Sequence, residues 1–207
     1  MDVSFGSVAK LVAFVDKIER DTYPEAPSTI HSEITTRMLA TLLPQYGIKT
    51  DAPILDIGCG QGPALEIFHA KGYHNAVGIT LNDEDVRICR EKGYTVSKMD
   101  QSFLDFTEGT FNFVWARHVI EHSIFPYFTL AEFARVTADG GYLYLEAPAP
   151  ETSCHHERNP NHYSVLTRSA WASLLERSGF GVLDVVTFQF TTGMGPDEYW
   201  GFVCQKP

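Results

Sequence analysis

The stretch ILDIGCGQG, which runs from Ile54 to Gly62, decides the fold. Three apolar residues and one acid are followed by glycine at every second position, namely Gly58, Gly60 and Gly62. Glycine inside a regular element costs roughly 0.5–1 kcal/mol relative to alanine, so three at a fixed spacing indicate a turn in which bare backbone approaches another group. Pro63 follows and suits the first turn of a helix. The stretch therefore predicts a strand, a glycine-rich loop and a helix whose N-terminus faces a ligand.

Short apolar runs alternate with helical segments on both sides of this stretch, which is typical of βαβ units and a parallel sheet. The predicted strands are Ile54–Ile57, Ala76–Thr80, Thr95–Lys98, Phe113–Ala116 and Tyr142–Glu146. The predicted helices of this region are Pro63–Ala70, Asp83–Glu91, Pro126–Val136 and Arg168–Ser178. Near the C-terminus, Val182–Phe190 and Tyr199–Gln205 are β-rich and flank TTGMGPDE, so we expect an antiparallel hairpin.

The predicted fold class is α/β, with a doubly wound sheet of about seven strands and helices on both faces. The sheet is mostly parallel and ends in the antiparallel hairpin. We expect one domain over residues 1–207. Residues 1–50 form a helical cover with helices at Val8–Glu19 and Ile34–Leu43, separated by the Pro24/Pro27 break. Residues 51–150 form the ligand-binding core, and residues 151–207 supply a loop, a helix and the hairpin.

Composition narrows the class of protein. The chain has 207 residues, 44% of them hydrophobic and 20% charged, as in soluble globular proteins. Its 16 Lys and Arg against 26 Asp and Glu argue against nucleic acid as a partner. No apolar run approaches the ~18 residues of a bilayer span, and Met1-Asp2 lacks a basic signal region, so we expect a cytoplasmic protein without a membrane partner. The four cysteines form no CxxC pair and are expected to be free thiols.

Five motifs occur in a fixed order along the chain: ILDIGCGQG, AVGITLND, KMDQSFLDF, FNFVWARHVIEH and ARVTADGGYLYLEAP. In this order they resemble class I S-adenosylmethionine-dependent methyltransferases, in particular the small single-domain members called type 11. The similarity covers residues 53–148 closely and continues more loosely to the C-terminus. It implies a Rossmann-like fold, S-adenosylmethionine as methyl donor and S-adenosylhomocysteine as product.

The resemblance implies ten cofactor-binding positions, which are Asp56, Gly58, Gly60, Gly62, Thr80, Leu81, Asn82, Asp100, Gln101 and Arg117. The acid and glycines of the first motif hold the amino-acid end of the cofactor. The turn after the second strand serves the ribose, although the family usually carries an acid there and this chain has Thr80. Asp100 accepts from the adenine amino group, Gln101 donates through its backbone, and Arg117 presents its backbone to the cofactor.

Simpler interpretations of some of these positions remain open. Thr80 can simply end a strand while Asn82 caps the next helix. Asp100 can be an ordinary loop residue. The charge of Arg117 can be solvated.

Candidate chemistry lies in the segment ARHVIEH. A sulfonium already activates its methyl group, so the protein mainly aligns the acceptor, and a general base adds ~10²–10⁴-fold. His118 and His122 are candidate bases at i, i+4, and a helical turn would put Glu121, a candidate acceptor-binding residue, on the same side. The element also resembles ubiquinone-pathway O-methyltransferases, where this region can help bind a divalent metal, but those carry Glu in place of His118. Metal binding here is the alternative, and we predict no metal site.

A second polar cluster, ETSCHHERNPNHYS, follows the fifth predicted strand and should lie at the ligand-binding edge of the sheet. His162 is a third candidate catalytic residue and Tyr163 a candidate acceptor clamp. The alternatives are a zinc site, for which regular ligand pairs are lacking, and an idle solvated loop. The cluster contains Cys154, His155, His156, His162 and Tyr163. Aromatic residues that either line the acceptor site or pack in the core are Tyr23, Phe125, Tyr127 and Phe128.

The sequence therefore predicts a methyltransferase that acts on oxygen or nitrogen of a small-molecule acceptor, with the oligomeric state open. One alternative is a non-catalytic module that binds S-adenosylmethionine or a partner protein, which Thr80 in place of the acid keeps open. A nicotinamide-dependent oxidoreductase is disfavoured because the glycine spacing is GxGxG rather than GxGxxG.

Overall fold

The computed structural model describes residues 5–21 and 29–207. Its helices are α1 (Phe5–Asp21), α2 (Thr29–Gln45), α3 (Pro63–Ala70), α4 (Asp83–Glu91), α5 (Pro126–Val136) and α6 (Arg168–Arg177). Its strands are β1 (Ile54–Ile57), β2 (Ala76–Thr80), β3 (Thr95–Lys98), β4 (Phe111–Arg117), β5 (Thr137–Pro148), β6 (Gly181–Thr192) and β7 (Gly195–Gln205). Two single 3₁₀ turns lie at Ile120–His122 and His156–Arg158. The predicted Pro24/Pro27 break and the candidate Tyr23 lie outside the described residues.

The strands form one seven-stranded sheet in the order β3-β2-β1-β4-β5-β7-β6. The first five strands run parallel, and β7 pairs antiparallel with both β5 and β6. The predicted fold class is thereby confirmed. The strand order reverses between β1 and β4, and ligands of doubly wound sheets bind at such a point, beyond the carboxyl ends of the strands.

Apolar side chains fill both faces of the sheet. In β1, Ile54 packs into one core layer, while Leu55 and Ile57 pack into the opposite layer, because successive side chains of a strand point to opposite faces. The first layer lies under α2, α3 and α4, and the second lies under α5 and α6. Parallel strands covered in this way are buried on both sides, which explains their almost continuous apolar runs.

The predicted boundaries agree with the structure for β1, β2, β3, α3, α4 and α5. They are wrong for β4 and β5, which begin earlier because Phe111 pairs with Thr137 ahead of an irregularity, after which Phe113 pairs with Tyr142. Both strands also extend beyond their predicted ends, β4 to Arg117 and β5 to Pro148.

The C-terminal hairpin is longer than predicted. Thr192 pairs with Gly195, so Gly193 and Met194 alone connect the two strands, and most of TTGMGPDE is strand. The helices α1 and α2 are likewise longer than their predicted cores. The four cysteines are free thiols, as expected. Within the described ranges, no helix is long and apolar enough to cross a bilayer.

Candidate cofactor and active site

The glycine-rich loop follows β1 at the point where the strand order reverses. Gly58, Gly60 and Gly62 have φ angles of +71°, +48° and +84°, in the left-handed region that glycine adopts at least cost. A Cβ on Gly58 would lie 2.8 Å from the side chain of Val119, so that glycine is required by packing. A Cβ on Gly60 would meet no described atom within 4 Å. The backbone at Gly60 therefore borders open space that a ligand can fill.

Asp56 gives this loop its acidic group. Its side chain is buried, and its Oδ2 atom has no hydrogen-bond partner among the described residues. Burial, with the nearby Cys89 thiol as a lesser cause, raises the pKa of Asp56 well above its ordinary value. A buried acceptor without a partner is costly unless a ligand satisfies it, and an amine beside the loop would do so. These features fit the amino-acid end of the expected cofactor.

A cavity lies beside the glycine-rich loop, and helix α2 covers it. Arg117, at the end of β4, lines this cavity and is held by α2. His31, Ser32 and Thr35 of α2 line the cavity together with Asp56 and Arg117. The Arg117 guanidinium donates to the His31 carbonyl at 3.0 Å and to the Thr35 hydroxyl at 3.2 Å. The interpretation of Arg117 as a solvated charge is wrong, because its side chain is 7% exposed and ion-paired with Glu146.

The polar side chains of the turn after β2 form hydrogen bonds within the turn and to the start of α4. The Asn82 side chain accepts from the Asp85 backbone at 3.0 Å and caps α4, which is the local interpretation left open by the sequence. The Thr80 hydroxyl accepts from the Asn82 backbone at 3.4 Å. The Cys59 N–H donates to the Ile79 carbonyl and ties this strand end to the glycine loop. Thr80, Leu81 and Asn82 thus lie at the expected edge of the sheet.

Asp100 and Gln101 follow β3 and border a smaller cavity. One Asp100 oxygen accepts from the Ser102 backbone at 2.6 Å. The Gln101 amide donates to the Val119 carbonyl at 2.7 Å, while its Oε1 is buried and has no hydrogen-bond partner within the described part of the chain. Val15 of α1 lines this cavity, so α1 covers this end of the crevice as α2 covers the other.

His118 is held by two carboxylates. Its Nδ1 lies 3.2 Å from Glu121 Oε1, and its Nε2 lies 3.0 Å from Glu146 Oε1. Burial alone would lower the pKa of His118, but the hydrogen bonds to Glu121 and Glu146 outweigh it and raise the pKa. Two carboxylate acceptors require both ring nitrogens to donate, which is the protonated form. The ring also stacks on His31 at 4.5 Å and meets the edge of Tyr199 at 4.2 Å.

The carboxylates around His118 are ionised. Burial would raise the pKa of Glu146, but hydrogen bonding to His118 and the charge of Arg117 lower it to about 2. Burial opposes ionisation of Glu121 as well, and hydrogen bonding to His118 lowers its pKa. Glu121 Oε2 is buried and lacks a hydrogen-bond partner in residues 5–21 and 29–207.

His122 and His162 form a pair beyond Glu121. The His122 Nδ1 lies 2.9 Å from the Asn161 carbonyl, so it carries the proton and leaves Nε2 as an acceptor. The His162 Nδ1 bonds the His156 carbonyl at 3.0 Å, and its Nε2 lies 3.2 Å from the Asn159 amide. The two rings lie 4.9 Å apart, and Glu121 offers an oxygen within 4.8 Å of both.

The remaining candidate acceptor residues are Tyr163 and the aromatic residues Phe125, Tyr127 and Phe128. The Tyr163 backbone donates to the Glu121 carbonyl at 2.8 Å, and its side chain is exposed. Phe125 lines the cavity beside Gln101. Tyr127 and Phe128 are about half exposed, and the Tyr127 hydroxyl donates to the Arg177 carbonyl at the end of α6.

Sequence patterns did not single out three residues that complete the site. Glu146 lies in the continuously buried end of β5, beside Tyr144 and Leu145, and an acid in such a run could have been recognised as a charge that needs a partner. His31 and Tyr199 come from α2 and β7, and nothing in their own segments indicates that they meet at His118.

Comparison with known proteins identifies the family. A family profile described as "Methyltransferase domain" matches residues 30–185. The 27-O-demethylrifamycin SV methyltransferase of Amycolatopsis mediterranei is 26% identical over 141 residues, which is 62% of this chain and 52% of that protein. The sarcosine/dimethylglycine N-methyltransferase of Halorhodospira halochloris is 26% identical over 138 residues, which is 63% of this chain and 49% of that protein. The chain thus spans about half the length of these curated relatives.

Solved structures share the fold. A SAM-dependent methyltransferase from Archaeoglobus fulgidus superposes with a TM-score of 0.68 at 20% identity, covering 84% of this chain and 94% of that one. The profile covers most of the chain, including the glycine loop and the segment that carries His118 and His122. The chain therefore belongs to the class I S-adenosylmethionine-dependent methyltransferases.

Proposed function

We propose that this protein transfers the methyl group of S-adenosylmethionine to an oxygen or nitrogen atom of a small-molecule acceptor. The observation that carries the proposal is the cradle at the end of β1, where open space at Gly60 adjoins an Asp56 oxygen that has no hydrogen-bond partner among the residues described. S-adenosylmethionine supplies an activated methyl group, so the protein's own residues have to bind, orient and handle one proton.

The residues of the cradle would hold the amino-acid end of the cofactor. Asp56 would accept from its amine, and the backbone at Gly60 would lie against it. Arg117 lines the same cavity, and its Nε is buried without a hydrogen-bond partner among the residues described, so this cation suits a carboxylate. Thr80, Leu81 and Asn82 would serve the ribose, and Asp100 and Gln101 the adenine.

His122 is the best-placed general base. Its Nδ1 donates to a backbone carbonyl, which fixes the ring and leaves Nε2 to take a proton from the acceptor. His162 stands beside it and would share this role or orient the acceptor together with Glu121 and Tyr163. His118 is already protonated between two carboxylates, so we assign it a positioning role instead of proton abstraction.

The net charge of the chain and the reactions named for two of its relatives support the proposed class of acceptor. The names of the two curated relatives describe methylation of a rifamycin at oxygen and of sarcosine or dimethylglycine at nitrogen. A formal net charge of −10 disfavours polyanionic acceptors such as nucleic acid. The second candidate function, a non-catalytic cofactor-binding module, is favoured by Thr80 standing where an acid is usual.

Titration calorimetry with S-adenosylmethionine, S-adenosylhomocysteine and NAD⁺ is the first test. Binding of the first two in the micromolar range, about −8 kcal/mol, supports the proposal. Incubation with panels of alcohols, phenols and amines, read out as S-adenosylhomocysteine formed, then separates an enzyme from a binding module. Binding of NAD⁺ without S-adenosylmethionine would overturn the assignment.

A further inference from the structure

Three side chains that the proposed reaction does not use converge beside the active site. Cys154 and His156 lie in the loop after β5, and Asp197 lies in β7. One ligand atom from each, a sulfur, a ring nitrogen and a carboxylate oxygen, lies within 4.8 Å of the other two. The His156 Nε2 is already 3.1 and 3.0 Å from the two Asp197 oxygens. The fold thus assembles thiol, imidazole and carboxylate from two segments distant in sequence.

The spacing suits a small cation. Sulfur, nitrogen and oxygen bind Zn²⁺ at about 2.0–2.3 Å, so the ligands of a tetrahedral site lie roughly 3.3–3.8 Å apart. The separations in the cluster reach this range with shifts of about an ångström. The soft thiolate together with imidazole selects Zn²⁺ and similar transition metals over Mg²⁺ or Ca²⁺.

The burial and contacts of Asp197 also support metal binding at this cluster. Its side chain is fully buried, in contact with His156 and with its own neighbour, the Glu198 N–H, at 2.9 Å. The proton of this contact lies between His156 Nε2 and Asp197, and a metal ion bound to both groups would replace it. Cysteine binds a metal as the thiolate, so metal binding at Cys154 releases a proton.

The cluster is reachable from solvent. The side chain of His156 is 15% exposed and Cys154 is half-buried. Three protein ligands with room for a fourth group are the arrangement of an open zinc site. The His156 ring also stacks on His162 at 5.9 Å, so a metal here would fix the loop that carries two candidate acceptor residues.

We propose that Cys154, His156 and Asp197 form a binding site for one divalent transition metal ion, with Zn²⁺ as the expected occupant. The metal pins the loop after β5 to strand β7 next to the active site. This inference does not depend on methyl transfer, because the ligands lie outside the cofactor cradle.

The test is titration of the untagged, chelator-treated protein with Co²⁺ and Zn²⁺. We expect one equivalent of Co²⁺ to produce a thiolate-to-metal charge-transfer band, and Zn²⁺ to displace it. A second group of ligand atoms, from Glu121, His122 and His162, contains no sulfur, so the band distinguishes the two locations. Absence of a one-equivalent band would overturn the proposal.

Variants sharpen the result. Cys154→Ser should abolish the band although three other cysteines remain, and His156→Ala and Asp197→Asn should each weaken Zn²⁺ binding at least about tenfold. The matched control is His155→Ala, because His155 is adjacent and about half exposed but lies outside the cluster. Circular dichroism and S-adenosylmethionine affinity verify folding. Zn²⁺ binding that survives Cys154→Ser, or that falls equally in His155→Ala, would disprove the site.

Discussion

Arg117 and Glu146 are directly paired in neighbouring strands β4 and β5, and their side chains form a buried ion pair of 2.8 Å. Glu146 also lies 3.0 Å from His118 Nε2 and accepts from the Tyr144 hydroxyl. The carboxylate thus joins α2, through Arg117, to the centre of the sheet. Its removal would leave a buried cation without compensation.

Glu146→Gln should therefore destabilise the protein strongly. Removal of one partner of a buried pair typically costs about 3–5 kcal/mol of unfolding free energy, and the loss is measured by denaturant unfolding. Glu84→Gln is the control, because Glu84 forms a solvent-exposed pair with Arg87, and such pairs contribute little to stability. Equal losses in the two variants would contradict the role given to Glu146.

The Glu146 carboxylate also predicts how the free energy of unfolding changes at acidic pH. Its pKa is lowered from 4.5 to about 2 in the folded protein, so its contribution is fully present above pH 4.5 and is lost as the pH falls through about 2. Wild-type unfolding free energy should decline across this window, and Glu146→Gln should decline less. Parallel declines in the two proteins would show that other carboxyl groups govern acid unfolding.

His118 predicts the opposite pH dependence, in which the free energy of unfolding falls as the pH rises. Its pKa is raised above 6.5, so its contribution to stability is fully present below pH 6.5 and is lost as the pH rises through the raised value. Denaturant unfolding from pH 6 to pH 9 should show this loss in wild type and not in His118→Asn. Asparagine tolerates the φ of +50° at this position, so backbone strain is limited. Identical slopes would exclude a protonated His118.

Local sequence rules located most of the fold and less of the site. Asn82 and Thr167, the capping residues of α4 and α6, mark the beginnings of these helices, and β1 and β2 stand out as buried, mainly apolar runs. Local sequence does not indicate the start of β5, because Thr137 pairs with Phe111, a residue distant along the chain. Local propensity gives no information about such a partner.

The partners of His118 show the same limit. Its contact with Glu121 is only three residues away, but the expected helical turn does not make it, because His118 has a φ of +50° and the 3₁₀ turn spans only Ile120–His122. Its contacts with His31, Glu146 and Tyr199 come from three other elements. Sheet order and the position of α2 bring these residues together, and neither is encoded by spacing within one segment.

Gly60→Ala tests the cradle. The added methyl group would enter the open space beside the loop, and we expect S-adenosylmethionine affinity to fall at least about tenfold, or 1.4 kcal/mol, by calorimetry. Gly47→Ala is the matched control, since Gly47 also has a positive φ and no described atom lies within 4 Å of the added Cβ. Gly47 lies at the amino ends of the parallel strands, away from the proposed cofactor site at their carboxyl ends. Both should lose about 1–2 kcal/mol of stability from left-handed strain. Unchanged affinity in Gly60→Ala would mean that the cofactor does not contact this loop.

His122→Ala tests the proposed base. Because Nε2 of His122 would take the acceptor proton, kcat should fall by ~10²–10⁴-fold while S-adenosylmethionine affinity stays unchanged. The measurement is S-adenosylhomocysteine formation with an acceptor found by screening. His74→Ala is the control, since His74 is exposed in the loop between α3 and β2, away from the carboxyl edge of the sheet. A variant with normal kcat would show that His122 is not the base and would transfer that role to His162, whose ring lies 4.9 Å from that of His122.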